Sequence, residues 1–166
     1  MIIEGRAVLI PEDNVDTDVL YPGALLNLDD PEKMKPYLFE GYDPSLRDEV
    51  AAGDAVIVVG ENFGIGSSRE HVPLAMLAWG VRCVLGKSFA RIFYRNCVNL
   101  GLLAVACREA VADASRGSSV RVDTDSGRVE VDGRPFQAEP LHPFVREVMG
   151  AGGLVAWARA ELEEAR

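Results

Sequence analysis

Cysteine is sparse: Cys83, Cys97 and Cys107 are the only three in 166 residues, and no Cys-x-x-Cys occurs. An odd number without that spacing supplies neither a disulfide framework nor a complete metal site. Each thiol lies in an apolar stretch, so all three read as buried free cysteines. Basic residues are in deficit, 17 against 26 acidic ones, for a net charge of −9. That balance disfavours nucleic acid or an anionic membrane surface as the main partner, while leaving room for a local basic pocket. No apolar run approaches the roughly 18 residues of a membrane-spanning helix. The opening Met1–Arg6 lacks the order of a secretory signal, so a cytoplasmic location is the expectation. Repeats and low-complexity tracts are missing too.

Apolar residues make up 48% and charged residues 26%, a composition that supports a substantial core, and a single domain over residues 1–166 is expected. Ile3 to Ile10 alternates as a strand does. Residues 11–18 form a polar loop with Asp13, Asn14, Asp16, Thr17 and Asp18. Residues 20–28, punctuated by Pro22 and Gly23, also read as a loop. Short helical segments are expected over 31–38 and 44–50. Then come an apolar strand ending at Gly60, a helix over 72–79, a strand over 81–85, a helix from Ser88 (its N-cap) to Asn99, and a strand over 102–106. Strand–helix–strand–helix–strand in so short a span implies right-handed crossovers and locally parallel pairing. Residues 119–123 and 128–131 alternate across Thr124-Asp125-Ser126-Gly127, a hairpin signal. A helix opened by His142-Pro143 and a terminal helix over 154–164, separated by Gly150–Gly153, close the chain.

The segment Glu61-Asn62-Phe63-Gly64-Ile65-Gly66-Ser67-Ser68-Arg69-Glu70-His71 carries the most chemistry. It joins the buried strand to a helix. Gly64 and Gly66 permit positive φ and close approach. A helix starting just after Ser67-Ser68 would aim its free amides at an anion or at a charged serine oxygen. Arg69 offers a two-pronged hydrogen bond to a carboxylate. Taken alone, the string also fits a plain turn with a serine cap and a surface Arg69–Glu70 pair. The third glycine and following acid of a dinucleotide fingerprint are missing, as is the lysine of a Walker loop. His71, in the first helical turn, reads as packed or hydrogen-bonded, and His142 as a cap. Arg91 and Arg95 share one helix face at i, i+4 spacing. Lys87 reads as a solvated charge, and Asp18 alone as an Asx-turn carboxylate.

The longer pattern is more specific. Gly64-x-Gly66-Ser67-Ser68-Arg69-Glu70-His71, then Lys87-Ser88-Phe89-Ala90-Arg91-Ile92-Phe93-Tyr94-Arg95-Asn96, then Asn99-Leu100-Gly101-Leu102 resembles the aconitase superfamily, and most closely the family of 3-isopropylmalate dehydratase small subunits with its homoaconitase relatives. Asp13-Asn14-Val15-Asp16-Thr17-Asp18 is similar to that family's Asp-x-x-x-Thr-Asp entry loop. The resemblance covers roughly residues 6–157. It implies an α/β fold, the swivelling β/β/α domain with a mixed sheet, a C-terminal β-hairpin and a terminal helix. It implies one subunit of a hydro-lyase whose larger partner holds a [4Fe–4S] cluster, with no cofactor or metal bound by this chain itself. Ser67 falls on the family's base, which removes the proton α to a carboxylate. Ser68 and Arg69 fall on residues that touch the substrate carboxylate, and Thr17 and Asp18 on the pair near the substrate. The catalytic group implied is thus Ser67, Asp18 and Arg69.

Where relatives carry a substrate-selecting loop Pro-(Ala/Gly)-(Arg/Lys)-Tyr-Leu-x-x, this chain has Pro22-Gly23-Ala24-Leu25-Leu26-Asn27-Leu28, and no Arg or Lys stands between Arg6 and Lys33. A third substrate carboxylate would be left unpaired, at a cost of several kcal/mol if buried. Leu25, Leu26 and Leu28 suit an alkyl group instead, and Asn27 is expected with them among the substrate-binding residues. The expected substrate is therefore isopropylmalate, interconverted between its 2- and 3-hydroxy forms in leucine biosynthesis. Homoaconitate and methyl- or dimethylmalate remain alternatives. A non-catalytic metabolite-binding or interaction domain is the rival outside enzymology, and a homo-oligomer is an open arrangement for the isolated chain.

Overall fold

Ala55–Val59 consists of five apolar residues, every one buried, and such a strand must be covered on both faces. It becomes β2, deep inside a seven-stranded mixed sheet. In this computed structural model, which describes residues 1–165, the strand order is β4-β3-β2-β1-β5-β6-β7. β1 (Ile2–Ile10), β3 (Cys83–Gly86) and β4 (Leu103–Ala106) run parallel with β2. β5 (Ser119–Asp123), β6 (Arg128–Val131) and β7 (Arg134–Gln137) extend the sheet antiparallel from the other side of β1. β1 divides its work: Arg6–Ile10 pairs with β2, and Ile2–Arg6 with β5.

The helices α4 (His71–Ala78) and α5 (Arg91–Leu100) make the two crossovers. Their apolar residues Val72, Ala75, Met76, Phe93 and Cys97 pack with Ile57, Val59 and Val84 in one core. The same core takes the inserted segment between β1 and β2: α1 (Thr17–Leu20), α2 (Pro31–Met34), α3 (Leu46–Ala51) and two 3₁₀ turns at Gly23–Leu25 and Lys35–Tyr37. The opposite face of the sheet holds a second core. There Val56, Val58 and Leu85 meet Ala110 of α6 (Arg108–Asp113), Met149 of α7 (Pro143–Gly150) and the hairpin residues Val120, Val122, Val129 and Val131. The alternation read in the hairpin is the observed one: those four valines are buried and their neighbours more open. α8 (Leu154–Glu164) ends the described chain.

Several expectations need correction. Ser88 does not cap α5. Phe63 and Phe89 form a short parallel bridge, residues 88–90 are spent on that strand-like contact, and the helix begins at Arg91 after an uncapped Ala90. α1 begins within the 11–18 loop and runs on to Leu20, because Asp16 Oδ1 accepts the Asp18 N–H and starts a helical turn there. β7 and α6 were not anticipated. Asp132-Gly133, both at positive φ, is the tight-turn signal that joins β6 to β7. Among the described residues no helix is long and apolar enough to cross a membrane.

The cysteines are buried and free. Burial pushes the Cys83 thiol up to about 12 and raises that of Cys97 as well. Thiol reagents are therefore expected to leave Cys83 and Cys97 unmodified in the folded chain and to label both after unfolding. Mass spectrometry of alkylated peptides checks this.

Candidate functional site

The loop from Gly60 to Glu70 leaves the carboxyl end of β2 and is fastened to the loop that leaves the adjacent end of β1. Asp13 Oδ1 accepts the Glu61 N–H at 2.7 Å, and Asn62 Nδ2 donates to Asn14 Oδ1 at 2.9 Å. The Glu61 N–H, with Lys87 Nζ 3.6 Å away, holds the Asp13 carboxyl below the usual carboxylate range. That latch contributes stability above the carboxyl's unfolded-state pKa and loses it as pH falls through the lowered value.

Beyond the latch the turn is clamped at every step. Phe63 is buried edge-on against Phe93, ring centroids 5.2 Å apart. Gly64, at φ +84°, donates its N–H to the Val15 carbonyl at 2.9 Å and lies flat on the Phe93 ring. Ile65 bridges to Asp16, and its carbonyl accepts the Thr17 N–H at 2.9 Å. The buried Thr17 hydroxyl donates to the same carbonyl at 3.2 Å and accepts the Ser67 N–H at 2.9 Å. From the other side, Asn96 on α5 donates to the carbonyls of Ser68 (3.0 Å) and Arg69 (3.3 Å). Thr17 and Asn96 together fix the backbone of Ser67-Ser68-Arg69 without using its side chains.

Those side chains face open space. Ser67 is half-buried; Ser68 and Arg69 are exposed. Ser67 Oγ accepts the Arg69 N–H at 3.2 Å. The serine oxygen thus has a backbone donor and keeps its own proton free for another acceptor. Among the described residues Arg69 has no ion-pair partner, so the expected Arg69–Glu70 surface pair does not form. The helix does not start just after the serines either. α4 begins at His71 behind an uncapped Glu70, and the donor nearest Ser67 Oγ comes from the turn itself.

Two recesses flank these residues. A narrow one is lined by Thr17, Asp18, Leu26, Ser67 and Arg69 among others. The second, about 410 Å³, is lined by Leu26, Asn27, Leu28, Arg69 and His71 among others. Leu26, Arg69 and His71 belong to both. The structure therefore brings Ser67, Asp18, Arg69, Thr17, Leu26, Asn27 and Leu28 into one neighbourhood. Leu25 lines neither recess; it packs against the core, with its carbonyl 3.5 Å from Tyr21 Oη. Ser68 is next in sequence but lines neither recess. Asp18 is exposed, and it is Asp16, not Asp18, that makes the Asx turn. On the far side of the turn, Arg91 shares a cavity of about 270 Å³ with Ser67, while Arg95 does not line it. A larger cavity, about 580 Å³, lies elsewhere, beside Lys87, Arg108 and His142, and contains no residue expected at the site.

Sequence reading missed Asn96 as the brace of the turn. Its signal was available: a polar side chain on the apolar stripe of an amphipathic helix, buried to 8% exposure, asks for buried partners. Histidine readings held. His142 Nδ1 accepts the Phe144 N–H, and His71 is hydrogen-bonded through Nε2 to Leu28.

Comparison with known proteins adds an independent line. The model of the aconitase C-terminal domain family matches residues 27–110. The 3-isopropylmalate dehydratase small subunit of Caldanaerobacter subterraneus subsp. tengcongensis is 43% identical over 162 residues, 96% of this chain and 99% of the relative. The 2,3-dimethylmalate dehydratase small subunit of Eubacterium barkeri is 46% identical over 150 residues, 89% of this chain and 91% of the relative. A crystal structure of 3-isopropylmalate dehydratase from Methanocaldococcus jannaschii superposes with a TM-score of 0.89 at 37% identity, covering 99% of this chain and 98% of that one.

Proposed function

The chain belongs to the aconitase C-terminal domain family, within it to the 3-isopropylmalate dehydratase small subunits, and from that premise we propose how its residues serve a heteromeric hydro-lyase. The chain forms one swivel domain that completes an active site with a larger subunit. The substrate is isopropylmalate, interconverted between its 2- and 3-hydroxy forms through isopropylmaleate, in cytoplasmic leucine biosynthesis. Ser67 Oγ, as the alkoxide, takes the proton from the carbon beside a carboxylate while the substrate hydroxyl leaves the neighbouring carbon as hydroxide, which an acid of the larger subunit protonates to water. Readdition with the two positions exchanged gives the isomer, and Ser67 returns the proton.

The observation that carries this reading is the setting of Ser67. An alkoxide is a costly base unless donors compensate it. Here the Arg69 N–H meets the oxygen, the Arg69 guanidinium lines the same recess with no ion-pair partner among the described residues, and Thr17 and Asn96 hold the backbone in place. Arg69 with Ser68 receives the substrate carboxylate, and Asp18 stands free at the rim. Leu26 and Leu28 present the alkyl wall. Among the described residues no cluster of His, Cys, Asp or Glu is arranged to hold a metal, so a resident [4Fe–4S] cluster does not fit this chain. We assign it to the larger subunit, where it would supply Lewis acidity at the departing hydroxyl.

A dimethylmalate-type substrate is the second reading, favoured by the relative of that name and by an alkyl wall that discriminates each methylene by only about 1–3 kcal/mol. Turnover of 2- and 3-isopropylmalate, dimethylmalate and homoaconitate by the two-subunit enzyme decides between them; fastest turnover of homoaconitate would overturn both readings. For Arg69→Lys, which loses the forked contact, KM is expected to rise roughly 10- to 100-fold, with a smaller change in kcat. Steady-state kinetics on the assembled enzyme measures it.

A further inference from the structure

Residues 22–29 carry the proposed alkyl wall; Leu25, Leu26 and Leu28 rest against the core, but hydrogen bonds fix the segment sparsely. Their backbone hydrogen bonds are local: Leu25, Leu26 and Leu28 donate to the carbonyls of Pro22, Gly23 and Leu25. Tyr21 Oη reaches the Leu25 carbonyl from only four residues away, at 3.5 Å. Among the described residues, one hydrogen bond ties this segment to a distant part of the chain. It runs from His71 Nε2 to the Leu28 carbonyl, 3.1 Å long across 43 residues. Segments with few cross-links are the ones that open most readily, so that bond is the directional tie that adds to the apolar packing of the wall.

The state of His71 follows from its surroundings. A carbonyl can only accept, so Nε2 carries the proton. Among the described residues Nδ1 is buried and has no partner, and a second N–H there would go unsatisfied. The ring leans on Tyr21, centroids 5.4 Å apart at 48°. It lines both recesses and follows Arg69-Glu70 directly at the start of α4. The residue after the carboxylate-binding turn therefore reaches across and grips the opposite wall.

We infer that His71 is a positioning residue for substrate selection: its Nε2–H fixes the Leu26–Leu28 wall at a set distance from Ser67 and Arg69, and so decides which alkyl group the site accepts. The inference rests on the function proposed above. Its test compares His71→Phe, which keeps the ring and removes the donor, with His71→Gln, whose amide nitrogen replaces Nε2, in the assembled two-subunit enzyme. For His71→Phe, KM for isopropylmalate is expected to rise about 10-fold with kcat within about 3-fold, and the preference over a methyl-substituted malate to shrink about 10-fold. His71→Gln should stay within about 3-fold of the parent in all three. Unchanged selectivity in His71→Phe, a loss confined to kcat, or an equal loss in His71→Gln overturns the inference. If His71→Phe does not assemble, ring ¹⁵N spectra of the unsubstituted chain decide: a slowly exchanging proton on Nε2 and a bare Nδ1 support it, and a proton on Nδ1 overturns it. Ser67→Ala in the same assay separates the two levels. Retained turnover there sinks the proposed function, whereas lost turnover with an unmoved His71→Phe sinks only the role of His71.

Discussion

Replacing Ser67 with alanine is expected to lower turnover of the assembled enzyme by about 10²–10⁴, the usual cost of losing acid–base help. That is about 3–5 kcal/mol in the barrier. KM should move little, because Arg69 and Ser68 remain to hold the carboxylate. Stability should move little as well. The hydroxyl makes one described hydrogen bond, from the Arg69 N–H, and such a bond contributes only about 1 kcal/mol net. The combination is diagnostic: a fall in kcat alone, with unchanged melting temperature and unchanged assembly, places the proton on Ser67. Near-normal turnover removes this serine from the chemistry.

Gly64→Ala is expected to give a large loss of stability. At φ +84° an alanine is strained by about 1–2 kcal/mol. Its Cβ would also lie 2.3 Å from Cγ and 2.6 Å from Cβ of Phe93. Those atoms are the root of a buried ring wedged against Phe63, so they cannot swing aside, and overpacking of this kind costs about 1–3 kcal/mol. The total, about 2–5 kcal/mol, corresponds to a fall in melting temperature of roughly 5–15 °C for a chain of this size. Gly80→Ala is the control. It shares the positive φ, +83°, but its Cβ would meet nothing within 4 Å, so only the backbone strain remains. Equal melting temperatures for the two variants would refute the clash. Activity should also drop in Gly64→Ala at temperatures where it stays folded, because a displacement near 1 Å at Ser67 can cost about 100-fold.

Much of this was legible in the chain. β2 announces itself as an unbroken apolar run, and the crossovers to β3 and β4 follow from the helical segment between each pair of strands, long enough for a parallel return. The serine turn was visible because its glycines, hydroxyls and guanidinium are adjacent in sequence. What stayed hidden depends on partners far away. The Thr17 hydroxyl looked like a substrate contact by resemblance, but its donor is committed to Ile65 and one lone pair to Ser67, bonds that sequence spacing cannot announce. Ser88 had the residue type of a cap, and the bridge between Phe63 and Phe89 overrode it. Leu25 is expected beside Leu26 and Leu28 on the alkyl wall, yet it stays half-buried in its 3₁₀ turn and lines neither recess. Local chemistry, in short, was readable wherever neighbours in sequence act together, and failed where a tertiary contact outbid a local preference.

β1 has one further consequence. It is the earliest strand in the chain, yet its Ile2–Arg6 half is covered only by Ser119–Asp123. During synthesis the parallel half can assemble long before that cover exists, and the backbone donors and acceptors of Ile2–Gly5 stay open to any extended segment nearby. A translation product stopped short of Ser119 would carry this bare edge permanently, and it is there that self-association between unfinished copies would begin.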